Sequence, residues 1–232
     1  MQKFSLVIPV FNEKDNLLNL MNDIVSSKVY ELLDDIIFIN DCSTDGSDII
    51  LKNISSQYKK SIVLNHNKNL GQSHSLLTGI SESNSENIIT IDSDGQNPPK
   101  EIINMINIYN SFKDPTILCG IRTKRQDNFI KIVSSKIANK IRNFIVGDNC
   151  PDAGCSLKVF RRKDFLSLPF FNGIHRFLPA LFLYQNIEVN YINVSHKKRL
   201  YGISKYGTID RLVKTIYDLF IVIKIKKKLN KK

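Results

Sequence analysis

Ile88-Ile89-Thr90-Ile91-Asp92-Ser93-Asp94-Gly95-Gln96-Asn97-Pro98-Pro99 is the stretch on which the reading of this chain turns. Its β-branched start predicts a buried strand over Asn87–Ile91, and Gly95 with the paired prolines ends that strand abruptly. Asp92 and Asp94 therefore emerge at a strand's C-terminal end, where open α/β sheets bind their ligands. Spaced i, i+2 in a loop, both carboxylates can turn toward one cation. With the Gln96 carbonyl they make an all-oxygen set suited to Mg²⁺ or Mn²⁺, which in turn would hold a diphosphate. An isolated Asp-x-Asp is more often a solvated turn, so the remainder of the chain has to decide.

Outward from that junction, strand and helix alternate. Strands are expected at Phe4–Val10, Asp35–Asn40, Ser61–Asn65 and Thr116–Gly120, and helices at Lys14–Ser26, Asp45–Tyr58, Gly71–Ser81, Pro98–Tyr109 and Phe129–Ile145. The order predicts an α/β domain, a mostly parallel central sheet with helices on both faces. From Asp152 the rhythm changes to a strand (Cys155–Phe160), a helix (His175–Tyr184), a strand (Ile187–Val194), a basic loop and a last helix. The division expected is a catalytic domain over 1–208 and an amphipathic helix with a lysine-rich tail over 209–232.

Acidic or amide groups close the earlier strands too. Asn12 and Glu13 follow the first; Asn12 is placed either to contact a nucleoside or to cap the next helix. Asp41 follows the second, where a carboxylate can accept from a base N–H or a ribose hydroxyl, while Asp45 reads as a helix cap. Gly71 permits close backbone approach at a helix start. Neither a G-x-x-x-x-G-K-[ST] loop nor a G-x-G-x-x-G after the first strand is present, which removes the two commonest nucleotide-binding folds.

The net charge of +11 over 232 residues points to anionic partners. Its excess gathers late, in Lys197, Lys198, Arg199 and Lys205 and in six lysines between Lys224 and Lys232. Nucleic acid is disfavoured as the partner: it leaves Asp92, Asp94 and Gln96 unexplained, and no aromatic-studded basic motif exists. Cys42, Cys119, Cys150 and Cys155 form no C-x-x-C pair, which predicts reduced thiols in a cytoplasmic protein and no zinc site. No signal peptide is expected, because Pro9 interrupts the first apolar stretch. The longest apolar run, Leu219 to Ile223, is far short of the roughly 20 residues that span a bilayer. The face formed by Leu212, Ile216, Leu219 and Ile223 would either pack on the core or lie in a membrane interface ahead of the lysines.

Taken in order, Val7-Ile8-Pro9-Val10-Phe11-Asn12-Glu13, Asn40-Asp41-Cys42-Ser43-Thr44-Asp45-Gly46-Ser47, Asn69-Leu70-Gly71-Gln72 and Asp92-Ser93-Asp94-Gly95-Gln96-Asn97-Pro98-Pro99 resemble a family 2 glycosyltransferase of the nucleotide-diphospho-sugar (GT-A type) fold. Gly120-Ile121-Arg122, Ser135 with Asn139, Asp152-Ala153-Gly154-Cys155-Ser156-Leu157-Lys158, His175-Arg176-Phe177-Leu178-Pro179 and Arg199-Leu200-Tyr201-Gly202-Ile203-Ser204-Lys205 are similar to its polyprenyl-phosphate sugar transferase branch. The resemblance implies a nucleoside pocket lined by Pro9, Asn12, Glu13 and Asp41, with Gly71 and Asp92 also on the nucleotide sugar. It implies a Mg²⁺ or Mn²⁺ site at Asp92, Asp94 and Gln96, and an acceptor-phosphate site at Arg122, Lys131, Ser135, Arg199 and Lys205. Lys131 stands where an arginine is usual, and Asn40 where many members carry a first aspartate. Asp94, Asp152 and Arg122 are the candidate catalytic residues, Asp152 as an orienter of acceptor-site cations or of the sugar. The implied activity is inverting transfer from a nucleoside diphosphate sugar to a polyprenyl phosphate at the inner face of the cytoplasmic membrane. A saccharide acceptor of the cell envelope is the alternative, and for it an aspartate general base would be expected.

Overall fold

A computed structural model describes residues 2–123, 142–199 and 208–229, with backbone alone for 208–216 and 229. Seven strands form one sheet: β1 (Phe4–Val10), β2 (Asp35–Asn40), β3 (Ser61–Asn65), β4 (Asn87–Thr90), β5 (Thr116–Arg122), β6 (Lys158–Arg161) and β7 (Glu188–Val194). Their order is β3-β2-β1-β4-β6-β5-β7. All run parallel except β6, which is antiparallel to both neighbours, with Thr90 opposite Lys158 on one side and Cys119 opposite Lys158 on the other. The α/β class and the mostly parallel sheet expected from the sequence are what the structure shows.

The alternation of side chains along the strands sorts the core into two layers. Leu6, Ile8 and Val10 of β1, with Ile36 and Phe38 of β2, face one cluster. That cluster is closed by α1 (Lys14–Ser26), α2 (Val29–Leu32), α3 (Ser47–Gln57) and α5 (Lys100–Tyr109), through residues such as Leu17, Met21, Val29, Leu51, Ile102 and Met105. Val7, Ile37, Ile39 and Ile88 face the other way. There α4 (Gln72–Glu82), α6 (Arg162–Leu166), α7 (Leu178–Leu183) and α8 (Thr208–Leu229) close the layer through Leu76, Ile80, Phe165, Leu181, Leu219 and Val222.

Several boundaries differ from expectation for physical reasons. The helix expected over His175–Tyr184 is split into a 3₁₀ turn at Ile174–Arg176 and α7, because Pro179 belongs to the first turn of a new helix. β5 runs two residues further than expected, to Arg122, since β7 pairs with it along its whole length. The short α2 and α6 were not expected, four and five residues being too few to show a 3.6 period. Of the helix expected over Phe129–Ile145, only residues 142–145 are described; they are helical, and the helix continues to 146. The face expected from Leu212, Ile216, Leu219 and Ile223 is only partly what is buried. Leu219 and Val222 pack in the core and Ile223 is half-buried, while the side chains of Leu212 and Ile216 lie outside the described set.

Among the described residues no helix is long and apolar enough to cross a membrane. The buried Cys119, Cys150 and Cys155 and the partly exposed Cys42 are all free thiols. Burial pushes the Cys155 thiol up to about 11 and raises Cys150 as well.

Candidate active site

Parallel strands deliver their C-terminal ends to a single edge, and the antiparallel β6 delivers its N-terminal end there. Asn12–Glu13, Asp41, Asp92–Gln96, Arg122, Asp152–Lys158 and Lys197–Arg199 thus arrive together by topology alone. Pro9 stands beyond Val7↔Thr90, the last β1–β4 rung. There β1 has no ladder partner on that side, so a residue without an N–H is tolerated.

Two non-glycine residues at this edge adopt the left-handed region, Asn12 (φ 53°) and Cys42 (φ 60°). Non-glycine residues held there carry local strain that the surroundings have to enforce, a frequent property of binding sites. Cross-loop hydrogen bonds enforce it here. The Asn12 N–H donates to Ser43 Oγ at 3.0 Å, and the Thr44 N–H donates to Asn12 Oδ1 at 2.7 Å. Asn12 therefore ties the first loop to the second and is not a helix cap. Asp45 does act near the start of α3, accepting from Ser47 N–H at 3.0 Å and also from Lys14 N–H at 3.1 Å.

Asp41 is buried, and its carboxylate accepts from Leu70 N–H and Gly71 N–H, each at 2.8 Å, with His66 Nδ1 also at 2.8 Å. In this structure it shapes the turn that opens α4. Gly71 occupies φ +87° in that turn, a conformation open to glycine. One residue later, Gln72 Nε2 donates to Asp92 Oδ1 at 2.8 Å. Sequence reasoning quoted Gln72 inside a motif without giving it this contact; its place directly after the helix-opening glycine is the signal that could have found it.

Asp92 is the pivot of the acidic side. Its N–H donates to Ser156 Oγ at 3.0 Å, and the same oxygen accepts from Asn97 Nδ2 at 2.8 Å, so the 152–158 segment holds the carboxylate loop. Burial, and then the adjacent Asp94 charge, push the Asp92 carboxyl up to about 6, against the pull of Ser156, Lys158 and Arg122. Asp94 Oδ1 accepts from Gln96 N–H at 3.1 Å. Gln96 is clamped to the late loop: Lys197 N–H donates to its carbonyl at 2.8 Å, and its Nε2 donates to Lys197 O at 3.3 Å.

Into this acidic group reaches Arg199. Its Nη2 lies 2.6 Å from Glu13 Oε1 and 3.4 Å from Asp94 Oδ2, so one guanidinium bridges the first strand's loop and the Asp-Ser-Asp loop. On the opposite side Arg122 and Asp152 form a fork: Nε donates to Oδ2 at 2.7 Å and Nη2 to Oδ1 at 2.8 Å, with Arg122 N–H on Oδ2 at 3.2 Å. That geometry fixes the plane of the guanidinium. Asp152 thus holds Arg122 in a fixed orientation in this structure. His175 packs behind α4, its Nδ1 2.7 Å from Ser73 Oγ, which also accepts from Gly173 N–H at 2.8 Å. Burial, followed by Arg176 and Lys158, lowers the His175 pKa to about 3, so the ring is neutral. Lys131, Ser135 and Lys205 lie outside the described residues.

Known proteins match this chain over nearly its whole length. An undecaprenyl-phosphate 4-deoxy-4-formamido-L-arabinose transferase of Proteus mirabilis is 32% identical over 224 residues, covering 94% of this chain and 66% of that protein. Its counterpart in Photorhabdus laumondii is also 32% identical, covering 94% and 67%. The chain thus spans about two thirds of the length of these relatives. Among solved structures, glucosyl-3-phosphoglycerate synthase of Mycobacterium tuberculosis in complex with Mn²⁺, UDP and glucosyl-3-phosphoglycerate superposes with a TM-score of 0.73. It is 14% identical and is covered to 80%, with 97% of this chain matched, a likeness of fold. The same enzyme with Mg²⁺ and UDP gives a TM-score of 0.70 at 15% identity, over 97% of this chain and 79% of that one. Residues 5–168, well over half the sequence, match the family described as Glycosyl transferase family 2, and the chain belongs to that family.

Proposed function

We propose that this protein transfers a sugar, with inversion, from a nucleoside diphosphate sugar to a polyprenyl phosphate, working as a peripheral protein at the cytoplasmic membrane face. The observation that carries the reading is the division of one sheet edge into an acidic half (Glu13, Asp92, Asp94) and a basic, acid-oriented half (Arg122 on Asp152, with Arg199 between the two). The names of the two relatives cited, both undecaprenyl-phosphate 4-deoxy-4-formamido-L-arabinose transferases, support the acceptor. In this reading residues 1–208 carry catalysis and 209–232 form the appendage.

The residues present fit a divalent ion, because the acidic half already recruits a positive charge: Arg199 reaches Asp94 and Glu13 across two loops. Asp92, Asp94 and Gln96 would hold Mg²⁺ or Mn²⁺. When bound, such an ion neutralises the diphosphate and makes it a better leaving group. The chain's own residues do the rest. Pro9, Asn12 and Glu13 border the nucleoside side, and Asp41 holds the Gly71 turn over it. Arg122, locked by Asp152, presents a fixed cation to the acceptor phosphate, with Lys131, Ser135, Arg199 and Lys205 as its proposed companions. A phosphate acceptor is already ionised, so it needs positioning in line with the anomeric carbon and no general base.

The test is a transfer assay across UDP- and GDP-sugars with a short-chain polyprenyl phosphate or an oligosaccharide as acceptor, with Mn²⁺ or chelator. The expected result is product on polyprenyl phosphate alone, abolished by chelator and by Asp94→Ala while that variant keeps its thermal transition. Transfer to the oligosaccharide alone, or full activity of Asp94→Ala, would overturn the reading.

A further inference from the structure

The docking of α8 buries one stripe and leaves the opposite one in water. Asp218, Leu219 and Val222 face the core. Asp218 accepts from Arg176 Nη2 at 2.6 Å, and Lys226 Nζ donates to Val146 O at 3.3 Å and lies 5.2 Å over the Tyr184 ring. At 100° per residue, Tyr217, Phe220, Lys224, Lys227 and Lys228 fall within an arc of about 100° on the far side. Tyr217 is 67% and Phe220 62% exposed, and the three lysines are exposed as well. Beside α8 runs the helical segment 142–146, joined to it through Val146, which shares a cluster with Leu219 and Val222. On that segment Phe144 is 93% exposed and Ile145 partly so.

Single exposed apolar residues are ordinary, but three aromatic rings on two adjoining helices, next to a row of lysines, are not. Folding leaves them without a partner among the described residues. A second copy of the chain fits badly, because it would set lysine against lysine on a protein of net charge +11. An anionic lipid surface fits both halves: aromatic rings settle at the headgroup boundary while ammonium groups meet lipid phosphates. We propose that the Phe144/Tyr217/Phe220 patch and the Lys224/Lys227/Lys228 row form the surface by which this protein docks on an anionic bilayer. Its purpose rests on the proposed lipid-linked acceptor, since docking there would bring the sheet edge to a membrane-borne substrate.

The experiment is co-sedimentation of the full chain with vesicles of phosphatidylglycerol and phosphatidylcholine, or phosphatidylcholine alone, at low and high salt. Wild type should bind the mixed vesicles and largely ignore the neutral ones. The double variant Phe144→Ser/Phe220→Ser should lose at least tenfold in partitioning at both salt concentrations. Lys224→Gln/Lys227→Gln/Lys228→Gln should lose about fivefold per lysine at low salt and little at high salt. All five side chains are exposed, so thermal transitions should be unchanged, and turnover of a water-soluble short-chain acceptor should match wild type. Binding of both variants equal to wild type overturns the inference. So does a wild-type dimer in sedimentation velocity that Phe144→Ser/Phe220→Ser dissociates, which would assign the patch to a second copy. If vesicle binding behaves as expected but no form turns over a polyprenyl phosphate, the docking surface stands and the proposed acceptor falls.

Discussion

Arg199→Ala is the substitution from which most follows. In the structure this guanidinium makes one short contact with Glu13, at 2.6 Å, and one longer contact with Asp94, at 3.4 Å. A hydrogen bond to a charged partner contributes roughly 1.5–3 kcal/mol, and the longer, less direct Asp94 contact about 1 kcal/mol. Of these two contacts, the one with Asp94 has to be released when a divalent ion takes that carboxylate, since Glu13 is outside the proposed ligand set. Removing the guanidinium should therefore tighten Mn²⁺ binding to the nucleotide-free enzyme by about fivefold, the equivalent of about 1 kcal/mol. Titration calorimetry, or the electron paramagnetic resonance signal of free Mn²⁺, reads this without any turnover. The same variant should raise the acceptor Michaelis constant about tenfold or more and leave nucleotide-sugar affinity in the presence of metal nearly unchanged. Mn²⁺ affinity equal to or weaker than wild type would refute the idea that Arg199 competes for Asp94. A loss confined to donor binding would mean that the late loop serves the other substrate.

His175 is neutral when folded and has an ordinary pKa when unfolded, so the unfolded chain binds more protons below about 6.5. Its contribution is complete above that pH and should decline by about 1.4 kcal/mol per pH unit from 6.5 toward 3; urea titrations of His175→Asn should show a shallower acid slope than wild type, and parallel slopes would exclude the histidine as the cause. Gly173→Ala places a Cβ in hard overlap with the Asp218 carboxylate at φ +119°, so it should displace Asp218, loosen α8 and cost about 3 kcal/mol; fast amide exchange confined to Thr208–Leu229 would be the signature, and exchange unchanged there would count against this account of the contact. Asp152→Ala strands the Arg122 fork and should cost about 3 kcal/mol of stability together with a raised acceptor Michaelis constant; an unchanged constant would separate Arg122 from the acceptor.

The sheet was readable because its strands are β-branched runs ended by Asn, Asp or Gly, and because parallel pairing puts those ends on one edge. Strand order alone therefore brought Glu13, Asp92 and Asp94 to one edge, whereas Arg122 entered only through the family resemblance; the structure has all four at that edge. What each touches was not readable. The partners of Asp41 come from a turn some thirty residues away, and only the β1–β2–β3 register brings Leu70 and Gly71 to it. Arg199 was expected on the acceptor phosphate, and its contacts with Glu13 and Asp94 span loops that no local pattern connects. In the described part of α8 the inner stripe runs through Leu219 and Val222, beside the expected Ile223, and next to Leu219 the core-facing position is an aspartate, satisfied by Arg176 and accommodated by the missing side chain of Gly173.

The reversed direction of β6 has a consequence for how such a molecule changes. The chain leaves β5 at Arg122 and re-enters the sheet at Lys158, and both points lie on the same edge, side by side. Everything between them is an excursion that begins and ends where the chemistry is, anchored at its root by the Arg122–Asp152 fork. Ahead of Asp152 its length can change without altering the register of any strand, provided the buried Arg142, Val146, Asp148 and Cys150 keep their places. The nucleotide side, built from the ends of β1, β2 and β4, would not sense an exchange that stops ahead of Asp152 and so spares Ser156, whose hydroxyl holds Asp92 and Asn97. Grafting the 123–151 stretch of a relative onto this frame should therefore transplant the choice of acceptor and leave the choice of donor behind.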